Sequence, residues 1–275
     1  MVQGELGIPS CEVITTAGIC LCGITAFKAA YANVALGLSD NAVSTGSELA
    51  SSLIKSNFFE HLHGDRDFKN HPVLPFESDF LRWMLSDAAG AVFMSGKKNR
   101  NGLSLRVDWI ENIAYAGQMK TCMYAGAHKK EDGTVIGWRQ LHSLEEALSS
   151  NYFALKQDTE LLNREIVRVM IDLGLSHTVE RRKIKPDDID WYLPHYSSDF
   201  FREKIFNAME GIGFRIPFEK WFTNLAYKGN TGSASIYVIM EELFQSGQLK
   251  SGQKLLCFIP ESGRFSVAYV LLTVV

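Results

Sequence analysis

Two runs near the carboxy terminus constrain the fold most: Lys254 to Ile259 (KLLCFI) and Phe265 to Val275 (FSVAYVLLTVV), joined by the tight PESG turn at Pro260 to Gly263. Both are apolar almost without interruption. Strands alternate apolar and polar residues when one face meets water, and become continuous apolar runs when both faces are covered. A chain with such strands needs helices on both sides of its sheet.

The rest of the sequence supplies them. From Leu21 to Leu36, the residues Ile24, Phe27, Tyr31 and Val34 recur at helical spacing among five alanines, and Gly37 closes the run. Apolar residues at Ile236, Ile239, Met240, Leu243 and Phe244 predict a helix over 231–246, and Ile205 to Gly211 predicts another. Between Leu144 and Leu175 the same period runs through Leu155, Leu161, Leu162, Ile166, Val169 and Met170, predicting one long helix stopped by Gly174. Further strands are expected at 11–19, 41–46, 80–94 and 103–113, with a short buried one at 189–193, and a short helix at 48–56. The polar stretch 58–78 has no period and reads as a loop. Alternating helices and apolar strands make an α/β protein, and reactive residues belong where its strands end.

Composition excludes several classes. At 275 residues, with 46% hydrophobic and 21% charged, the chain can bury a large core, and a net charge of −3 gives no basic footprint for a phosphate backbone. The five cysteines (11, 20, 22, 122 and 257) are odd in number and lack the paired spacing of a zinc or redox site. No signal peptide is evident, and no apolar run reaches the roughly 18 residues of a membrane helix. A soluble cytoplasmic protein is expected, with no nucleic-acid or membrane partner.

Three residues suggest chemistry. Cys20 sits where a strand should give way to a helix, facing unpaired backbone N–H groups and the positive end of the helix dipole, an environment that favours thiolate. Local pattern alone also fits a small buried filler, and spacing does not choose between Cys20 and Cys22. His195 follows the run DWYLP, so its imidazole is presented at a strand end. Asn230 lies in KGNTGSAS, where Gly229 and Gly232 permit unusual backbone angles and Thr231 or Ser233 can cap the next helix. Alone, each has a structural explanation. Together they supply a nucleophile and the hydrogen-bond donors that a thioester enolate requires.

The motifs TTAGIC, TGSE at Thr45 to Glu48, SDAAGA at Ser86 to Ala91, DWYLPH at Asp190 to His195, YKGNTGSAS at Tyr227 to Ser235 and ESGRF at Glu261 to Phe265 carry a specific likeness. From about Pro9 onward the chain resembles the β-ketoacyl-acyl-carrier-protein synthase III group of the thiolase superfamily. The family's ungapped register from active cysteine to Gly-Ser-acid strand end selects Cys20. The resemblance implies a five-layered αβαβα thiolase fold, with residues 1–115 as the remainder of an N-terminal half bearing the nucleophile and 116–275 as the C-terminal half bearing His195 and Asn230. It also implies acylation of Cys20 by an acyl thioester, then decarboxylative Claisen condensation with a malonyl-carrier thioester held by His195 and Asn230. The N–H groups of Cys20 and Gly263 would form the oxyanion hole, and Ser198, Arg202 and Phe265 would bind substrate. Acyl-coenzyme A and acyl carrier protein are the implied partners of a homodimer that needs no metal or other cofactor.

Three departures qualify the likeness. Tyr196, Ser197 and Ser198 replace the usual QAN, altering contacts to the pantetheine arm. Arg264 stands where glycines are common, suggesting an altered acyl pocket. The family's first strands and helices, roughly a hundred residues, should precede the cysteine, whereas nineteen do here. A missing N-terminal piece or another chain is therefore expected to cover an exposed sheet. An acyl-shuttling transferase, a thioesterase or a non-catalytic partner subunit are the competing readings. HLHGDRDFKNH at 61–71 matches no zinc spacing, and ERRK at 180–183 reads as a solvated helix end or a carrier-docking patch.

Overall fold

Alternation along the two carboxy-terminal strands organises the molecule. The structure, a computed structural model, describes residues 2–55 and 80–275. The principal helices are α1 (Leu21–Ala35), α2 (Thr159–Val167), α3 (Arg202–Gly211) and α4 (Ser235–Gln245). The principal strands are β1 (Asn41–Glu48), β2 (Ala88–Ser95), β3 (Leu105–Ala114), β4 (Trp191–Pro194), β5 (Lys254–Glu261) and β6 (Ser266–Val274). A four-stranded sheet runs β3-β6-β5-β4, antiparallel except for the parallel β4/β5 pair.

In β5, Leu256 and Phe258 face one core, and Leu255, Cys257 and Ile259 the other; in β6, Val267, Tyr269 and Leu271 oppose Ala268, Val270, Leu272 and Val274. This two-residue period places the apolar side chains of both strands in the two cores. The first face is covered by Leu161, Leu162 and Ile166 of α2 and by Ile205 and Met209 of α3. The second is covered by Ile24 and Phe27 of α1 and by Ile236, Ile239, Met240 and Leu243 of α4. Each fully buried side chain of this size contributes about 1.5–3 kcal/mol.

Beyond α1 and α4 lies a two-stranded antiparallel sheet, β1 with β2, paired from Asn41↔Ser95 to Glu48↔Ala88. Ser44 and Gly46 face inward and are buried, whereas Val43 (53% exposed) and Phe93 (67% exposed), a cross-strand pair, face out. The described layers are therefore helix, sheet, helix, sheet, and no described element covers the outer face of β1–β2. β3, which precedes the expected boundary at residue 115, pairs along β6, so the two expected parts share a sheet.

Three tight approaches seat the start of α4. A Cβ on Gly23 or Gly46 would lie 2.2 or 2.5 Å from the Ser233 carbonyl oxygen, and one on Gly90 would lie 2.5 Å from the Tyr237 Cβ. The Tyr237 hydroxyl donates to the Gly23 carbonyl (2.7 Å) and meets the Ser44 hydroxyl at 2.7 Å.

Several local expectations need correction. Residues 11–19 form extended coil, with Val13 65% exposed, because no described strand lies beside them to pair. The expected strand over 80–94 is a helical turn at 80–84 followed by β2; between them, Ser86 N–H donates to the Asn230 carbonyl (2.8 Å) and turns the chain. The expected helix over 48–56 shrinks to a 3-10 turn at Ala50–Ser52. The expected long helix is broken after Ser149, where Asn151 adopts a left-handed φ of 55°, and resumes at α2, whose N-cap Asp158 accepts from Leu161 N–H at 2.9 Å.

α2 then continues as a π-helix, Arg168–Leu175, before the α-helix Ser176–Arg182. The Tyr269 hydroxyl donates to the Met170 carbonyl at 2.7 Å within it, a side-chain insertion that accompanies a widened ladder. Arg181 and Arg182 are not purely solvated: they pair with the buried Glu111 at 3.3 and 2.5 Å. The motif at 61–71 lies outside the described residues.

Candidate active site

The nucleophile candidate is held at the start of α1. Cys20 is its N-cap residue and offers no side-chain cap to the helix. Instead the carboxylate of Glu261, from the end of β5, accepts the N–H groups on either side of the cysteine, Ile19 at 3.1 Å and Leu21 at 2.9 Å. Cys22 is turned away, its thiol donating to the Ile19 carbonyl at 3.0 Å. Burial, with the nearby charges of Glu261 and Glu48, drives the Cys20 thiol pKa far above its ordinary value. Burial, and after it the carboxylate that already occupies the positive end of the dipole, thus opposes thiolate at this helix start.

His195 follows β4, its backbone N–H continuing the parallel ladder to the Phe258 carbonyl at 2.8 Å. The residue is 3% exposed, and burial pushes the imidazole pKa down to about 4, leaving it neutral at pH 7. Asn230 is fixed from both sides: its carbonyl accepts from Ser86 N–H, and its side-chain oxygen accepts from Gly232 N–H at 3.1 Å. Using the oxygen in this way leaves the amide N–H₂ as the group available for donation. Gly232, at φ 52°, makes the turn possible, with the Glu48 carboxylate lying where a Cβ would be.

Cys20, His195 and Asn230 line one pocket. Its walls are mainly apolar: Leu81, Met84 and Leu85 on one side, Leu162, Ile166 and Met170 of the α2 rod on the other. Three elements distant in sequence thus present a thiol, a neutral imidazole and an amide to a single apolar cavity. Ser262 and Gln157 add polar groups; the Ser262 hydroxyl donates to the Gln157 side-chain oxygen (3.2 Å), whose amide nitrogen donates to the Cys122 carbonyl and thiol.

The remaining expected residues are placed differently. Gly263 abuts the cysteine turn, where a Cβ would lie 2.8 Å from the Ile19 side chain. Of the YSS run, Tyr196 and Ser197 line the pocket, while Ser198 caps the next 3-10 turn, accepting from Phe200 N–H at 3.3 Å. Arg202 lies over the Phe218 ring, 4.4 Å from its centroid, and Phe265 is fully buried in the core at a left-handed φ of 62°. None of Ser198, Arg202 and Phe265 lines the pocket wall. Arg264, expected to alter the acyl pocket, points outward and donates to the Met119 carbonyl at 2.8 Å. Gln157 and Glu261 are the site residues that sequence reasoning missed. Glu261 stood in plain view in ESGRF, but nothing in its local sequence shows that it reaches the cysteine turn.

Among the described residues, no three His, Cys, Asp or Glu side chains gather as a metal site, and no helix is long and apolar enough to cross a membrane.

The family 3-oxoacyl-(acyl-carrier-protein) synthase III, C-terminal, matches residues 179–267, which include His195, Asn230 and Glu261. A β-ketoacyl-(acyl-carrier-protein) synthase III from Prochlorococcus marinus is 33% identical over 182 residues, 63% of this chain and 46% of that protein. One from Methylococcus capsulatus is 22% identical over 260 residues, 93% of this chain and 65% of that protein. The solved 3-oxoacyl-(acyl-carrier-protein) synthase III of Aquifex aeolicus covers 99% of this chain and 70% of its own, with TM-score 0.65 and 21% identity. OleA of Xanthomonas campestris, solved with bound lauric acid and lauroyl-CoA, covers 99% of this chain and 69% of its own, with TM-score 0.73 and 18% identity. The chain has the thiolase fold and is similar to condensing enzymes of the synthase III type, as its motifs imply. It spans about half the length or less of the first curated relatives it matches, 29% and 46%.

Proposed function

We propose that the chain is an acyltransferase that performs decarboxylative condensation of two thioesters, with Cys20 as nucleophile and His195 and Asn230 as donors to the thioester carbonyl. The observation that carries this reading is the convergence of those three groups on one apolar pocket. Synthase III relatives and an OleA with bound lauroyl-CoA support acyl-coenzyme A as the first substrate.

In the first step the Cys20 sulfur attacks the thioester carbonyl carbon and the carbon–sulfur bond to coenzyme A breaks. The thiol proton leaves with the coenzyme A sulfur, so charge balances. In the second step a malonyl-carrier thioester loses carbon dioxide. The electron pair of the broken bond becomes an enolate whose oxygen accepts hydrogen bonds from His195 and the Asn230 amide. A neutral imidazole suits this role, because it donates without surrendering its proton. The enolate carbon then attacks the acyl-cysteine, a carbon–carbon bond forms, and the Cys20 sulfur leaves and regains a proton. The N–H groups of Cys20 and Gly263 would hold the oxyanion in both acyl-transfer steps.

A second polypeptide covering the outer face of β1–β2 belongs to this reading, since a two-stranded sheet that exposes the Val43–Phe93 pair is marginal alone. The division of the chain into parts bearing the nucleophile and the donors belongs to it as well.

The two steps separate experimentally. His195→Ala and Asn230→Ala should retain acylation of Cys20 but lose roughly 100-fold or more in carbon dioxide release from malonyl thioester, the scale of a lost oxyanion donor. Unchanged carbon dioxide release in both variants would contradict the assignment of donors.

A further inference from the structure

We propose that Glu261 is a positioning residue for Cys20: its carboxylate clamps the two N–H groups flanking the cysteine and, by its charge, restrains the reactivity of the thiol. The inference rests on Cys20 being the nucleophile, and it concerns a residue to which the reaction above assigns no part.

The geometry is specific. A single carboxylate oxygen, Oε2, accepts from both Ile19 N–H (3.1 Å) and Leu21 N–H (2.9 Å). The N–H of Cys20 lies between these two in the chain. At a helix start these N–H groups ordinarily serve an anion, and a thiolate would be the natural one. Here the anion is built into the protein. Glu261 also opens the turn that carries Ser262 and Gly263, and the Gly263 carbonyl accepts from Cys122 N–H at 2.9 Å and Met123 N–H at 3.2 Å. Ser262 bonds Gln157 on the pocket wall. The carboxylate therefore ties the cysteine turn of one chain segment to the closing turn of another, fixing Cys20 N–H relative to Gly263.

The groups facing the thiol are of one kind. Glu261 on the β5 end and Glu48 at the β1 end are both acidic, Cys22 on α1 is a neutral thiol, and His195 across the pocket is uncharged because it is buried. No cation acts on Cys20 among the described residues. Removing the Glu261 charge thus moves the thiol in one direction only, toward thiolate at lower pH.

Glu261→Gln is the discriminating variant, because the amide oxygen can keep both backbone bonds while the charge disappears. The full chain is treated with iodoacetamide from pH 6 to 10, and Cys20 and Cys22 are quantified separately by peptide mass mapping. Glu261→Gln is expected to displace the Cys20 profile to lower pH and to speed its alkylation about tenfold at pH 8, the effect of one pKa unit. A merely structural role would not shift a pH profile. A Cys20 profile that superimposes on the parent's, or moves to higher pH, overturns the proposal. Glu261→Ala removes the bonds as well; it should acylate from lauroyl-CoA at least tenfold more slowly than Glu261→Gln, and equal rates would overturn the positioning role. Alkylation needs no acyl transfer, so a parent that alkylates but never acylates would defeat the functional reading while leaving the effect of Glu261 on the thiol measurable.

Discussion

At the scale of single residues, His195 gives the plainest physical test. An unfolded histidine titrates near 6.5, and this one is held near 4 by burial. As pH falls through that window the unfolded chain takes up a proton that the folded chain does not, so folding stability falls with falling pH and levels off below about 4. The loss attributable to His195 is about 3 kcal/mol between pH 7 and pH 4. Urea titrations at both pH values should show the difference shrinking by that order in His195→Gln. An unchanged difference would mean that the imidazole is not buried as described. The chemistry of Cys20 follows the same logic in reverse: burial and two carboxylates oppose its ionisation, so its reactivity depends on what the substrate and the neighbouring N–H groups supply.

At the scale of elements, the turn bearing Asn230 and the start of α4 are seated on glycines. Gly23→Ala would force a Cβ to within 2.2 Å of the Ser233 carbonyl oxygen, and should cost about 1–3 kcal/mol as overpacking does. Gly211→Ala in α3, where no atom lies within 4 Å, should be neutral or stabilise by up to about 1 kcal/mol through helix propensity. Thermal denaturation of the pair distinguishes close packing from a general intolerance of substitution.

These elements also show what the sequence revealed. The helix at 21–35, the strand before His195 and the closing strand pair were legible because periodicity and burial agree in them. The coil at 11–19 was misread because strand-like composition says nothing about whether a partner strand is adjacent. The break after Ser149 was hidden because apolar residues on either side keep a helical phase across it. Cys20, His195 and Asn230 were legible through motifs, whereas Gln157 and Glu261 act through partners far away in the chain, Ser262 and Cys122 for one, Ile19 and Leu21 for the other.

At the scale of the whole molecule, the outer face of β1–β2 decides behaviour in solution. Val43 and Phe93 form an exposed apolar pair on a sheet whose inner face is packed on α1 and α4. The chain alone should bind an apolar dye and associate with rising concentration, and Val43→Lys with Phe93→Lys should reduce both. A monodisperse monomer that binds no dye would contradict the need for a covering polypeptide.

The central claim is that Cys20 accepts an acyl group in the pocket it shares with His195 and Asn230. Intact-mass spectrometry after incubation with a panel of acyl-coenzyme A thioesters tests it most directly, with Cys20→Ala as control. The account predicts one added acyl mass on the parent protein that is absent in Cys20→Ala. An adduct that persists in Cys20→Ala, or no adduct with any chain length, would contradict it.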